Sequence, residues 1–363
     1  MMPENRVMRR TAKKAGTWFV FVLLGAVGGF LSVVQPAWGF HEQGVASCGG
    51  CHIMHSTADG FEVVLQPGNE ALLKGPSPSD VCLLCHAEGP LAVFGVDPLI
   101  PPPEKGGGNF VFLLEDNLND GPDGMAEPIT GEAAGHSIKA PGLGLASDPR
   151  LSLSPGGQFP VSELGCTSCH DPHGNTNFRM LNGDGLVQDD LFSFVFPAPE
   201  AVGIEPGDGT ESRTNHTAYR SGMTDWCANC HGRYHQQGST PSAFEHPSDR
   251  ALDAETRNHY NFYNGDEDPT GGTPATAYLP EVPFEDRSVT TESTSGPGPT
   301  ARIMCLSCHR AHASSAPTSG RWDFNVSLLS EDGLQSGSYP IPDPYGGSSQ
   351  GPLCHKCHLP IPD

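Results

Sequence analysis

The chain has 363 residues, 36% of them apolar, with 42 acidic against 20 basic side chains and a formal net charge of −22. That charge disfavours nucleic acid and anionic lipid as partners, and favours cations, basic proteins or positively charged mineral surfaces. Glycine (45) and proline (35) punctuate the chain so densely that long helices and strands have little room.

In chain order the first element is a leader. Arg6, Arg9, Arg10, Lys13 and Lys14 precede an apolar run from Trp18 to Val34 and then Ala37-Trp38-Gly39. Basic, apolar and small-x-small regions in that order predict a secretory signal over residues 1–39, cleaved before Phe40. An uncleaved anchor is the competing reading, because the apolar run approaches the length that spans a bilayer. Residues 40–363 are expected to form a single exported domain, outside the cytoplasm. Loss of the leader removes five basic residues and one acidic one and takes the charge to about −26.

All twelve cysteines fall in six copies of Cys-x-x-Cys-His: Cys48/Cys51/His52, Cys82/Cys85/His86, Cys166/Cys169/His170, Cys227/Cys230/His231, Cys305/Cys308/His309 and Cys354/Cys357/His358. This is the attachment signature of c-type haem. Two thiols about one helical turn apart reach the vinyl groups of one porphyrin, and the following residue turns its imidazole to the iron. A zinc site or a thioredoxin-like pair also uses Cys-x-x-Cys, but neither requires a histidine after every second cysteine. Six covalent haems are expected, and disulfides are not. The 324 residues left after the leader amount to 54 per motif, too few for six ordinary domains and too thin for one core made of protein alone. The predicted fold is therefore mostly irregular, with short α-helices at the motifs, few strands and a stack of haems as its core. Successive motifs begin 34, 84, 61, 78 and 49 residues apart, which is not the fixed period of a solenoid. Acidic, glycine-rich stretches such as Asn264 to Gly272 read as solvated loops.

Ten histidines remain after the six proximal ones, against five methionines beyond the leader, so both axial positions of every iron are expected to be histidine. His55, His173, His235 and His312 lie three or four residues past a proximal histidine. Each is badly placed for the far face of its own haem and well placed for an adjacent one. His41, His136 and His246 complete seven distal candidates for six places. His216, His259 and His355 are set apart as surface residues or propionate partners. Iron with two protein ligands has no open position for substrate, which ranks electron transfer above catalysis and leaves no catalytic residue to assign.

Phe40-His41, Gly-Val-Ala-Ser-Cys-Gly-Gly-Cys-His-Ile-Met-His, Gly-His-Ser-Ile, Leu-Gly-Cys-Thr-Ser-Cys-His-Asp-Pro-His-Gly, Gly-Met-Thr-Asp-Trp-Cys-Ala-Asn-Cys-His, Glu-His-Pro, Cys-Leu-Ser-Cys-His-Arg-Ala-His-Ala-Ser and Cys-His-Lys-Cys-His follow one another from Phe40 to His358. In this order they resemble the hexahaem cytochromes of the outer-membrane cytochrome S type, densely at the motifs and weakly in the loops. The resemblance implies identical subunits polymerised head to tail into extracellular conductive filaments, with His55 ligating the haem on Cys305, Cys308 and His309 of the next subunit. It also implies redox partners such as outer-membrane cytochromes or metal oxides. A monomeric periplasmic or outer-membrane-associated carrier is the alternative, and a multihaem reductase a third.

Overall fold

A computed structural model of the protein describes residues 48–53, 57–58, 61–62, 72–87, 92–95, 106–114, 118–119, 128–129, 133–187, 192–203, 211–235, 248–322, 324, 344–346 and 351–358. These lie in one compact unit, Trp38–Asp363. The leader, His41, His55 and His246 are outside the described residues.

The helices are short, and all but one of them begin at or within four residues before the first cysteine of a motif. α1 (Cys48–Cys51), α2 (Pro78–His86), α3 (Cys166–Cys169), α4 (Met223–His235) and α6 (Gly351–His355) carry motifs one to four and six, and the fifth opens on a 3-10 turn, Cys305–Ser307. α5 (Ala254–Phe262) carries none. Local chemistry explains the starts. Ser77 caps α2 by accepting from Asp80 N at 3.2 Å, and Pro78 takes the first helical position, where no amide is needed. In Cys-Thr-Ser-Cys and Cys-Leu-Ser-Cys the serine hydroxyl reaches back to the residue before the motif, Ser168 Oγ accepting from Gly165 N at 3.0 Å and Ser307 Oγ from Met304 N at 3.2 Å. α5 starts on Asp253, which accepts from Thr256 N at 2.7 Å.

Strands are two to four residues long. β1 (Thr57–Ala58) with β2 (Phe61–Glu62), β3 (Leu118–Asn119) with β4 (Pro128–Ile129), and β5 (Gly185–Val187) with β6 (Phe192–Phe194) are antiparallel pairs. β7 (Glu200–Val202), β8 (Ala218–Ser221), β9 (Glu285–Asp286) and β10 (Ala301–Arg302) form one mixed sheet in the order β10-β9-β8-β7, parallel only between β8 and β9. The mostly irregular chain with short helices and few strands is thus the observed architecture. Among the described residues no helix is long and apolar enough to cross a membrane.

The polypeptide also builds three small apolar clusters of its own, each touching a cysteine motif. Leu83 of α2 packs with Phe94, Phe112 and Ile138, with Cys166 at the edge. Tyr260, Leu279, Trp322 and Leu353 pack beside Cys308 and Cys357. Tyr219, Met223, Met304 and Leu306 pack beside Cys227. Apolar burial is therefore spent at the motifs and holds them in place.

Candidate haem sites

None of the twelve cysteines is in a disulfide. Their thiols run from motif to motif in chain order. Cys51 is within electrostatic range of Cys82, whose thiol hydrogen-bonds Cys166. Cys169 faces Cys230, and Cys227 hydrogen-bonds Cys305. Cys308 in turn is within range of Cys354 and Cys357. Each motif therefore has its sequence neighbour as a spatial neighbour, and the six follow one another in chain order.

Nine of the twelve cysteines are partly buried by the polypeptide itself, whereas Cys48, Cys85 and Cys354 are exposed. For Cys85 helical register is the reason. α2 turns Asp80, Val81 and Leu83 into the protein, holds Cys82 half-buried against Cys166, and leaves Leu84 and Cys85 on its solvent side. The second motif is thus anchored to its neighbour through its first cysteine, with its second open on the outer face of the helix.

The first, third and fifth motifs share a backbone device. After the third, Asp171 N donates to Met180 O at 2.8 Å and Asn182 N to Cys169 O at 2.8 Å; after the fifth, Arg310 N donates to Ser319 O and Arg321 N to Cys308 O, both at 2.7 Å. The strap turns through two consecutive left-handed residues in each case, Arg179 (φ 51°) with Met180 (φ 54°) and Thr318 (φ 55°) with Ser319 (φ 57°). Non-glycine residues seldom adopt this conformation, and they persist here because the flanking ladder over-determines them. The first motif repeats the ladder through a longer loop: Ile53 N donates to Leu72 O, Lys74 N to Cys51 O, and Leu72 has φ 50°.

The strap also orients the proximal imidazole. His170 Nδ1 donates to Arg179 O at 2.9 Å and His309 Nδ1 to Thr318 O at 3.0 Å. In the fourth motif, which lacks the strap, the Pro155 carbonyl does the same for His231 Nδ1 at 2.8 Å. A carbonyl on Nδ1 fixes the tautomer that leaves Nε2 bare for a metal. Burial pushes the proton affinity of all three below the ordinary histidine value, which keeps the neutral, ligating form.

Two candidate distal histidines face proximal ones at the separation one shared iron requires. The His173 ring lies 6.4 Å from that of His52, centroid to centroid and within 8° of parallel, and the His136 ring 5.9 Å from that of His231 at 43°. Two imidazoles ligating one iron through bonds of about 2 Å put their centroids about 6 Å apart. His136 Nδ1 donates to Ala311 O at 2.7 Å, again leaving Nε2 bare, and burial followed by the nearby His231 pushes its pKa down to about 4. His312 is partly buried, stacks on Phe110 with centroids 4.5 Å apart, and has an enclosed Nδ1 without a partner of good geometry. Burial first, then His170, pushes its pKa down to about 3. These imidazoles, with a ring nitrogen left for a metal, fit bis-histidine haem. The His173 ring, just past the third motif, thus lies against His52 of the first, and His312, just past the fifth, is within electrostatic range of His170 of the third.

Other histidines are committed elsewhere. His216, 2% exposed, places Nδ1 on Thr217 O and Nε2 on Ser293 O, both at 3.1 Å, and stacks on Tyr278. His259 Nε2 bonds His355 O at 2.7 Å, and His355 Nδ1 bonds Asp266 Oδ1 at 2.8 Å. Among the described distal candidates, His235 is the one whose Nε2 is taken: it lies 2.5 Å from Asp225 Oδ1, with Asp249 close by and Arg302 Nη1 at 3.0 Å from Asp249. His86 ends α2, and His358 lies just past α6.

Three buried cationic residues sit at the last two motifs, Arg310 directly after His309, Arg321 and Lys356. Arg321, 5% exposed, donates through Nε to Leu306 O and through Nη1 to Pro280 O at 3.1 Å, with Glu211 3.9 Å away. Lys356, 2% exposed between Cys354 and Cys357, donates to Tyr263 O at 3.0 Å and lies over the rings of Tyr260 and Tyr345, 4.6 and 5.8 Å from their centroids. Its position inside a Cys-x-x-Cys loop was visible, but a charged residue there reads as exposed until the aromatic partners from distant segments are placed.

Comparison with known proteins agrees with this geometry. Residues 159–187 match the family model described as a doubled CXXCH motif. Over 425 aligned positions the chain is 29% identical to the C-type cytochrome OmcS of Geobacter sulfurreducens, covering 92% of this chain and 97% of that one. The solved OmcS nanowire from that organism is 27% identical and superposes with a TM-score of 0.68 over 88% of this chain and 99% of the other. An outer membrane cytochrome S filament structure gives 26%, 0.65, 78% and 85%. In motif, sequence and fold the chain is similar along nearly its whole length to OmcS, and it carries the doubled CXXCH motif of c-type haem attachment.

Proposed function

We propose that the chain is an exported electron-transfer cytochrome that carries six bis-histidine haems and polymerises into an extracellular filament. The haems, when bound, supply one-electron chemistry at iron, and the polypeptide attaches, orients and insulates them. In this reading the cysteines of the six motifs form the thioethers, and His52, His86, His170, His231, His309 and His358 are the proximal ligands. Cys85 keeps its place among the attachment thiols, on the open side of α2. The chain-order succession of the six motifs supports a continuous path through the subunit, and similarity to OmcS filaments supports its continuation between subunits. The strongly acidic surface suits cationic or mineral acceptors and basic partners.

The observation that carries the filament is the ligand offset of the strapped motifs. His173 of the third faces His52 of the first, and His312 of the fifth lies towards His170 of the third. Continuing that offset, His55 of the first motif has no earlier strapped motif in its own chain. Among the described residues no candidate distal histidine stacks on His309. Translation by one subunit brings the two together, so His55 ligates the haem at Cys305, Cys308 and His309 of the next copy. His136 serves His231, and by the same offset among the even motifs His41 serves His86 and His246 serves His358. His235 is then the spare of the seven.

The test is His55→Ala in the full, haem-loaded protein. No thioether is lost, so haem content should stay at six, while one haem per subunit turns high-spin by electron paramagnetic resonance and filaments shorten or vanish under the electron microscope. His312→Ala should produce a high-spin haem without a selective effect on polymerisation. Long filaments from the His55→Ala protein, with every haem low-spin, would reduce the chain to a monomeric multihaem carrier.

A further inference from the structure

Lys356 is an unusual place for a charge. It is 2% exposed, and among the described residues no carboxylate acts on its ammonium. Its partners are the Tyr263 carbonyl at 3.0 Å and the faces of Tyr260 and Tyr345. Charges are rarely buried without an opposite charge, because solvation is lost and not replaced. A carbonyl and two aromatic faces replace part of it, and leave a net positive charge locked in a low-dielectric cage. That cage lies in the peptide between Cys354 and Cys357, and the charge is felt at the Cys357 sulfur. Arg213 is the other charged group that acts on it, and it too is positive.

From this geometry we infer that Lys356 tunes the sixth redox site: its caged ammonium raises the reduction potential of the haem held by Cys354, Cys357 and His358 above the value a neutral residue would give. This rests on the haem assignment proposed above. Uptake of one electron, delivered from the neighbouring site in the succession, changes ferric iron to ferrous and lowers the positive charge there by one, so a fixed cation beside it favours the reduced form. A unit charge about 12 Å away in a medium of effective dielectric constant about 20 is worth about a tenfold change in an equilibrium constant, and tenfold is 59 mV for a one-electron couple. The C-terminal end of each subunit then retains electrons in preference to the state it would have without the charge. While the ammonium is protonated, the restricted cage gives a bias where a surface lysine, screened by salt, would give little.

The experiment compares the full-length, haem-loaded protein with Lys356→Met, Lys356→Gln and Lys356→Arg, each assayed for haem content by pyridine haemochrome and titrated spectroelectrochemically with soluble mediators in mildly acidic buffer. Both neutral variants should move one one-electron step of the set to lower potential by about tenfold in its equilibrium constant, with haem content unchanged, while the arginine variant keeps the wild-type curve. Neutral variants that carry all their haems and titrate like the wild type overturn the inference. So does an arginine variant that shifts as far as the methionine one, since packing and not charge would then be responsible. Loss of haem from both neutral variants, with the arginine protein intact, would make the charge structural and likewise end the tuning role. A wild-type protein with no haem at Cys354 and Cys357 would instead defeat the assignment on which the inference rests.

Discussion

Asp286 is 1% exposed at the end of β9, and its carboxylate gathers four donors: Ser288 N at 2.9 Å, Ser288 Oγ at 2.7 Å, Thr300 Oγ1, and Gly298 N at 2.9 Å. It thereby closes the loop from β9 to β10, and β10 leads directly into Met304 and the fifth motif. Hydrogen bonds to a charged acceptor contribute about 1.5–3 kcal/mol each and are not additive, while each buried donor left without a partner costs about 1–3 kcal/mol. Asp286→Ala strands two backbone amides as well as two hydroxyls and should cost about 3–5 kcal/mol. Asp286→Asn keeps an oxygen for Ser288 and Thr300 but sets an amide nitrogen against Gly298 N, and should cost about 2 kcal/mol. Burial by itself would raise the Asp286 pKa; the bonds from Thr300, Ser288 and Gly298 outweigh it and hold the carboxyl below its ordinary value. A carboxylate depressed in the folded state contributes its stability above the unfolded pKa of about 3.9, and that contribution is lost as pH falls through the folded value. Urea unfolding of the haem-loaded protein, followed by circular dichroism, should therefore show the wild type ahead of both variants at neutral pH and the gap closing in acid. An alanine variant within about 0.5 kcal/mol of wild type at neutral pH, or a gap that widens in acid, would refute the reasoning.

Two further outcomes test the site assignments. Intact mass should show six haems on a chain beginning at Phe40, and pyridine haemochrome should give the same count; fewer than six on fully matured protein would remove a motif from the succession. His235→Ala should leave every haem low-spin because its Nε2 is already on Asp225, whereas His246→Ala should produce one high-spin haem, and the reverse pattern by electron paramagnetic resonance would exchange their roles.

Much of the chemistry was legible in the sequence because covalent attachment demands a contiguous motif. Two thiols and an imidazole must lie on one turn, so Cys-x-x-Cys-His records the site without help from the fold, and the glycine and proline content foretells the short elements between. The partners of those motifs were not legible, because they come from distant segments. That Cys82 is held against Cys166 while Cys85 faces outward, that His136 faces His231, and that Lys356 is caged by Tyr260 and Tyr345 all follow from packing between segments far apart in the chain. The strap after His309 turns at Thr318 and Ser319 as the one after His170 turns at Arg179 and Met180. These residues share no side-chain chemistry, since their left-handed backbone is imposed by the hydrogen-bonded ladder and not by residue preference. Sequence alone determined where the haem-attachment motifs lie; the order of the motifs in space, the tautomers of His136, His170, His231 and His309 and the charge buried beside the last motif were decided only when tertiary contacts supplied the carbonyls, rings and opposing histidines that local sequence does not contain.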